Sequence, residues 1–380
     1  MPALGFLNYA GQINGDSRKL RKDDEKLKIT DIQYDKLSIK LAKPFIISLG
    51  VIEYAETMII KIITDEGIIG YGESSPFSPV TGETLESVPI FLGRFKEVLV
   101  GENPLEIEKI HKIMDRITVG NTSAKAGIDI ALYDIIGKKL NTPLYRILGG
   151  YSNNYITDMT VGIGSPEEMA EDALAYAKEG FRIVKIKAGL NPDEDIKALK
   201  AIRKAVGEDI RIRVDANQGW NVNTAIRVIA AYEELGVDAV EQPLPYWDID
   251  GMAYVRNHVN ISIMADESLH SPEDAIILAK KQAADIFNIK LMKSAGLYPA
   301  LRINAIGEAS GTPCMLGCML ETRLSITAAA SLVAAQKNIT EADLDSFRHY
   351  DDNVISGGFT VENGIVTLLE EPGLGIKLNF

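Results

Sequence analysis

Cysteine is almost missing from this chain of 380 residues: there are two, Cys314 and Cys318, in CMLGC. That excludes a disulfide framework. The four-residue spacing, with no second Cys/His pair nearby, is a poor zinc pattern and reads as two small buried thiols. So little cysteine suits a reducing compartment, and a cytoplasmic location is expected. Basic charge is also short. Forty Lys and Arg face 53 Asp and Glu, a net charge of −13, and no basic stripe is visible to neutralise phosphates, which argues against a nucleic-acid partner. No window reaches the roughly 18 apolar residues of a membrane span, so no membrane partner is expected. A Gly-rich phosphate turn of the GxGxxG kind is absent, which weighs against a dinucleotide-binding open sheet. The start of the chain places an apolar stretch, MPALGFLNYAGQ, before the charged run DSRKLRKDDEKLK. A secretory signal has the reverse order, so residues 1–27 are expected to be a weakly ordered N-terminal extension.

What is present divides in two. Residues 28–150 read as strands followed by helices, an α+β module: ITDIQYDKLSIKL and TMIIKIITDEGIIGYGE alternate in the strand manner, TDEG supplies a hairpin turn, and SAKAGIDIALYDIIGKKL has helical spacing. From residue 156 strand-like runs (RIVKIKAG, IRIRVDAN, DAVEQPL, ISIMADES, DIFNIKLM and others) alternate with helical patterns, two of them opened by Ser-Pro and most closed by glycine. Seven units are clear and a last strand falls near 338–344. The expected fold class is α/β: a modified TIM (β/α) barrel over residues 151–350, an α+β N-terminal capping domain, and a C-terminal segment, 351–380, that returns to the cap. A doubly wound open sheet is the other arrangement of such a pattern.

Five charged residues follow the strand runs at intervals of 24 to 28 residues: Lys187, Asp215, Glu241, Asp266 and Lys290. A βα repeat of that length brings all five to one end of the sheet, the reactive end of such a barrel. Asp215, Glu241 and Asp266, from three successive strands, form an all-oxygen set suited to Mg²⁺. Lys187 and Lys290 lie half a turn apart in a ring of eight. A substrate carboxylate on the metal then has its α-carbon between two amines, one to remove the α-proton and one to return a proton to the opposite face, while the cation stabilises the enediolate. Lys185 shares a face with Lys187 and is expected to depress its pKa by like charge. Lys293 has the opposite parity to Lys290 and is expected to face solvent.

As a set, KIK at 185–187, DANQGW at 215–220, EQP at 241–243, ADES at 265–268, IKLMK at 289–293 and MLET at 319–322 resemble the enolase superfamily, in its muconate-lactonizing subgroup, and within it the dipeptide epimerases of the L-Ala-D/L-Glu type. The resemblance runs from about residue 28 to the end. It implies a capped, modified barrel, Mg²⁺ held by the three acids and the two lysines as opposed acid/base catalysts. It also implies that Asp343 and Asp345, in ADLD, grip a substrate ammonium, that Thr160 contacts substrate, and that Cys318 and Leu320 line the pocket. In epimerases acting on Ala-Glu, basic residues follow the Lys-Pro-Phe segment; here KPFIISLG puts Ile46 and Gly50 in those places. An acidic side chain would be buried without a partner, so the expected substrate is a dipeptide with a neutral or apolar second residue, epimerised at that residue's α-carbon. A small-molecule substrate and a homo-oligomer are the expected partners.

The same five residues would also serve o-succinylbenzoate synthase, N-succinyl amino acid racemase or muconate cycloisomerase chemistry. Those substrates lack a free ammonium, and the Asp343/Asp345 pair speaks against them. Sugar-acid dehydration would want a histidine base at a strand end, and His111, His258, His270 and His349 do not fall there. A non-catalytic relative would be expected to have lost one of the five, and all are present.

Overall fold

The computed structural model describes residues 26–48, 50–350 and 354–380; the extension expected over residues 1–27 lies, but for its last two residues, outside them. The chain opens with an antiparallel meander, β1 (Ile29–Ile47), β2 (Gly50–Thr64) and β3 (Ile69–Ser74). The turn at TDEG closes through Gly67, whose N–H donates to the Thr64 carbonyl at 3.0 Å and whose φ of +75° suits a residue without Cβ. One face of this sheet packs on the helix Thr122–Lys139, which is buried on almost every side. The two elements meet at backbone distance: a Cβ on Gly72 would stand 1.9 Å from the Gly127 carbonyl oxygen.

After the short strand β4 (Asn154–Ile156), eight parallel strands follow in chain order around a nearly closed barrel: β5 (Met159–Val161), β6 (Ile183–Lys187), β7 (Arg211–Asp215), β8 (Val237–Glu241), β9 (Ser262–Ala265), β10 (Ile286–Lys290), β11 (Cys314–Gly317) and β12 (Ile339–Asp343). The strands are buried along almost their whole length, as a parallel sheet walled by helices must be. The helices begin as their sequences suggest: Ser165 and Glu168 form a reciprocal capping box at Pro166–Lys178, and Ser271 caps Pro272–Lys281. The seam between β5 and β12 is bridged by side chains. The Thr160 N–H donates to the Asp345 carboxylate at 2.6 Å, and the Leu344 N–H donates to the Thr157 hydroxyl at 3.1 Å.

The tail forms β13 (Ile355–Gly357), β14 (Phe359–Glu362), β15 (Ile365–Leu368) and β16 (Ile376–Leu378), with β15 paired to β4. It also reaches the first module: the Leu374 N–H donates to Asp134 of the buried helix, and the Leu144 N–H donates to the Gly373 carbonyl, both at 2.9 Å. Two buried carboxylates seat the cap on the barrel. Glu73 of β3 accepts from the N–H groups of Thr322 and Ser325 at the start of the helix Arg323–Ala335, and Asp129 accepts from the N–H of Leu297 at the start of Leu297–Ser310. Among the described residues no helix is long and apolar enough to cross a membrane.

Candidate active site

Strand register delivers the acids and lysines to one level. Lys187, Asp215 and Glu241 are successive partners across β6, β7 and β8; Lys290, Gly317 and Asp343 are successive partners across β10, β11 and β12. Asp266 follows β9 directly. Lys187 and Lys290 therefore end strands four places apart in the ring of eight.

One oxygen from each of Asp215, Glu241 and Asp266 lies within 4.8 Å of the others, and all three residues are buried. The Lys185 Nζ sits among them, 3.0 Å from Asp215 and 2.8 Å from Glu241, and reaches Asp343 at 2.7 Å. Lys187 donates to Asp215 at 2.7 Å and to the Asn217 side-chain oxygen at 3.2 Å; Lys290 donates to Asp266 at 2.8 Å. Burial alone would push the Lys185 pKa down, yet Asp215, Asp343, Glu241 and Asp266 hold it well above the ordinary lysine value. At an effective dielectric of ~20 each contact near 3 Å is worth about 5 kcal/mol, so several together outweigh the desolvation of one ammonium. Burial likewise opposes charge on Asp215 and Asp266, but Lys185 and Lys187 hold the first, and Lys290, Lys293 and Lys185 the second, below the usual carboxylate range. Glu241 differs: burial, with Asp215 close by, pushes it up to about 7. Crowded hard oxygen donors of this kind fit a small divalent cation, and the triad is able to hold one.

Asp158, Asp343 and Asp345 make a second buried group, again with one oxygen of each within 4.8 Å of the others. Asp343 ends β12, and Asp345 precedes the short helical turn Ser346–Arg348. Thr160 touches both, its hydroxyl 3.4 Å from Asp343 and its N–H donating to Asp345. Asp158 is 0% exposed; one of its oxygens meets Arg213 at 3.2 Å and the other is buried without a partner. Burial pushes Asp158 well above the usual range, reinforced by Asp343. For Asp345 burial is outweighed by His349 and Thr160, which hold it down at about 2.

Both groups border a single cavity of about 400 Å³ between barrel and cap. On the barrel side its walls include Thr160, Lys185, Lys187, Asp266, Lys290, Cys318, Leu320, Asp343 and Asp345. On the cap side they include Phe45, Ile47, Ile52, Tyr54 and Phe77 with Glu56, Glu83 and Glu86. Asp215 and Glu241 lie beneath this surface. Burial pushes the Cys318 thiol well above its ordinary value, which makes it a neutral wall.

Three expectations need correction. Lys293 does not face solvent: it is 0% exposed and paired with Asp266, and its amine donates to the Asn288 carbonyl at 3.2 Å. β10 ends at Lys290 and the chain turns at once into the helical turn Leu291–Ser294, so strand parity no longer applies. Lys185 is not a free like charge beside Lys187, because three carboxylates share it. Ile46 and Gly50 are not among the cavity's walls; Phe45 and Ile47 on either side of Ile46, and Val51 after Gly50, are, since successive side chains of a strand point to opposite faces.

Sequence reasoning also missed Asp158, Asn217 and Glu267. Asp158 shares its parity with Thr160 two residues on, a signal that was available. Asn217 and Glu267 each adjoin a triad acid in the motifs DANQGW and ADES. Glu267 is pushed up to about 8 by burial and by Asp266, and one of its oxygens is buried without a partner.

Two family models match the chain: "Mandelate racemase / muconate lactonizing enzyme, N-terminal domain" over residues 30–149 and "Enolase C-terminal domain-like" over residues 168–380. A hydrophobic dipeptide epimerase of Enterococcus faecalis is 47% identical over 353 residues, covering 92% of this chain and 100% of the relative. An L-Ala-D/L-Glu epimerase of Clostridium acetobutylicum is 43% identical, covering 92% and 98%, and an N-succinyl-L-Arg/Lys racemase of Bacillus cereus is 40% identical, covering 93% and 96%. A crystal structure of a dipeptide epimerase from Enterococcus faecalis, complexed with Mg and L-Leu-L-Tyr, superposes with a TM-score of 0.90 at 46% identity, covering 92% of this chain and 99% of that one.

Proposed function

The chain belongs to the mandelate racemase/muconate lactonizing enzyme family of the enolase superfamily and is an isomerase of amino-acid derivatives; on that premise we propose that it is a Mg²⁺-dependent dipeptide epimerase. It inverts the α-carbon of the C-terminal residue, and that residue carries a neutral or apolar side chain. The observation that carries this reading is the composition of the cavity between barrel and cap. Its floor offers lysines on opposite strands beside Asp266, its far side offers Asp343 and Asp345, and its cap side offers apolar side chains and acids with no cation among the described residues.

Held by Asp215, Glu241 and Asp266, Mg²⁺ would supply a Lewis acid for the charge that develops on the substrate carboxylate. Lys187 and Lys290 approach the α-carbon from opposite sides; one takes the proton and the other returns one to the opposite face, which inverts the centre. Lys185 keeps the triad's inner oxygens oriented. Asp343 and Asp345, anchored by Thr160, accept hydrogen bonds from the substrate's ammonium. Phe45, Ile47 and Ile52 exclude water above the reacting centre and cover the second side chain. A carboxylate there would lose hydration worth several kcal/mol with no cation to offset it.

A second reading has one observation in its favour. The Lys185 amine donates to Asp343 at 2.7 Å, so part of the acidic pair's charge is already met, and an N-succinyl amino acid without an ammonium would disturb it less. Kinetics on a dipeptide library together with N-succinyl amino acids separates the two. The proposal requires kcat/KM for Leu or Tyr in second position to exceed that for Glu and for every N-succinyl substrate. A clear preference for Ala-Glu contradicts the side-chain assignment, and a preference for N-succinyl substrates contradicts the dipeptide.

A further inference from the structure

Asn217 is tied down on all sides. Its side-chain oxygen accepts from Lys187 at 3.2 Å, and its amide nitrogen donates to Glu267 at 3.2 Å. Its own N–H donates to Asp215 at 2.9 Å, and its carbonyl accepts from the Ser48 hydroxyl of the cap at 3.0 Å. Its φ of +39° is left-handed, a conformation that asparagine tolerates better than most residues. Asn217 and Glu267 are 6% and 3% exposed.

The amide is directional. With Glu267 accepting from its nitrogen, the oxygen must face Lys187, because a flipped amide would set oxygen against carboxylate and nitrogen against ammonium. Lys187 then has two acceptors on neighbouring positions, Asp215 and Asn217, which restrict where a flexible four-carbon stem can place its amine. Lys290 has no equivalent amide: it donates to Asp266, which follows the neighbouring strand β9. Among the described residues the Asn217–Glu267 pair hydrogen-bonds to Lys187 and not to Lys290.

We propose that Asn217 and Glu267 are positioning residues for Lys187, so that proton transfer on the Lys187 side of the substrate depends on them and transfer on the Lys290 side does not. This rests on the two-lysine reading above. A merely structural role would slow both transfers alike, and the two are separable because each lysine exchanges the α-proton of one stereoisomer. Single-residue misplacements near a reacting centre reach about 10²-fold in rate.

The test is α-proton exchange in D₂O, followed by NMR, with the Mg²⁺-loaded protein and Leu-Tyr in each configuration of its second residue. Lys187→Ala identifies the isomer that Lys187 serves. Asn217→Gly, which preserves the left-handed backbone, and Glu267→Gln, which leaves that backbone alone, are each expected to slow exchange of that same isomer by about tenfold or more and to leave the other within about twofold. Equal slowing of both isomers in both variants, or slowing of the Lys290 isomer, overturns the positioning role while the two-lysine reading stands. Loss of both exchanges in Lys187→Ala itself overturns that reading and the proposal with it.

Discussion

Four ammonium groups stand around Asp215, Glu241 and Asp266: Lys185, Lys187, Lys290 and Lys293. Around Asp158, Asp343 and Asp345 stand one ammonium, Lys185, one guanidinium, Arg213, the His349 imidazole and the donors of Thr160. Both triads are buried, and both bring an oxygen from each acid within 4.8 Å. The first is held ionised at Asp215 and Asp266 by its lysines, which suits a cation of charge two that must be kept while substrate comes and goes. In the second, Asp158 is pushed towards its neutral form and Asp345 is held charged, which suits a single charge that must also leave. The same residue type, at the same end of one barrel, is given different charge states by what faces it.

The hardest test of that contrast is Asp266→Asn. It should weaken Mg²⁺ binding by about 10²-fold or more and lower kcat by about 10³-fold, read by calorimetric titration and by turnover; an unchanged metal affinity would remove Asp266 from the ligand set. Asp343→Asn should do the opposite. It should leave Mg²⁺ affinity within about twofold and raise KM for dipeptides by about 10- to 100-fold, the worth of a hydrogen bond to a charged group.

Acid should separate the triads too. Asp345, at about 2 in the folded protein against an ordinary 3.8, binds fewer protons folded than unfolded between those values. Its contribution, about 2 kcal/mol, is present above pH 3.8 and is lost as pH falls towards 2. The stability difference between the unsubstituted protein and Asp345→Asn, measured by urea unfolding, should therefore shrink as pH falls from 6 to 3. A constant difference would mean that its charge is not what Thr160 and His349 hold. The smallest effects belong outside both triads. Ile47→Ala should cost about tenfold in kcat/KM for an apolar dipeptide, and Ile46→Ala less than about threefold. Reversal of that order would return Ile46 to the substrate's surface.

The asymmetry in what the sequence revealed follows the same line. Lys187, Asp215, Glu241, Asp266 and Lys290 were legible because one period, strand plus loop plus helix, carries each to the same level, and local alternation then decides which way it points. Asp343 and Asp345 were legible through the last strand and the family resemblance. Asp158 was overlooked: its parity with Thr160 offered a local hint, but it precedes β5 rather than ending a strand as the other acids do. What marks it is its grouping with Asp343 and Asp345, residues far along the chain, which the fold alone reveals. Lys293 was misread because β10 ends at Lys290 and gives way at once to the helical turn Leu291–Ser294, where strand parity no longer applies. The cap wall was displaced by one residue, Ile46 for Ile47, the smallest slip a strand allows and one that reverses its face. The Asn217–Glu267 link joins two motifs recognised separately, and their adjacency becomes visible only when β7 and β9 curve around the same acidic triad.

The central claim is that two amines serve opposite faces of one carbon. Its most direct measurement is deuterium incorporation at the α-carbon by Lys187→Ala and by Lys290→Ala, each offered both isomers of one dipeptide with Mg²⁺ present. The account predicts that neither variant epimerises and that each still exchanges a different single isomer. Exchange of the same isomer by both variants would contradict it.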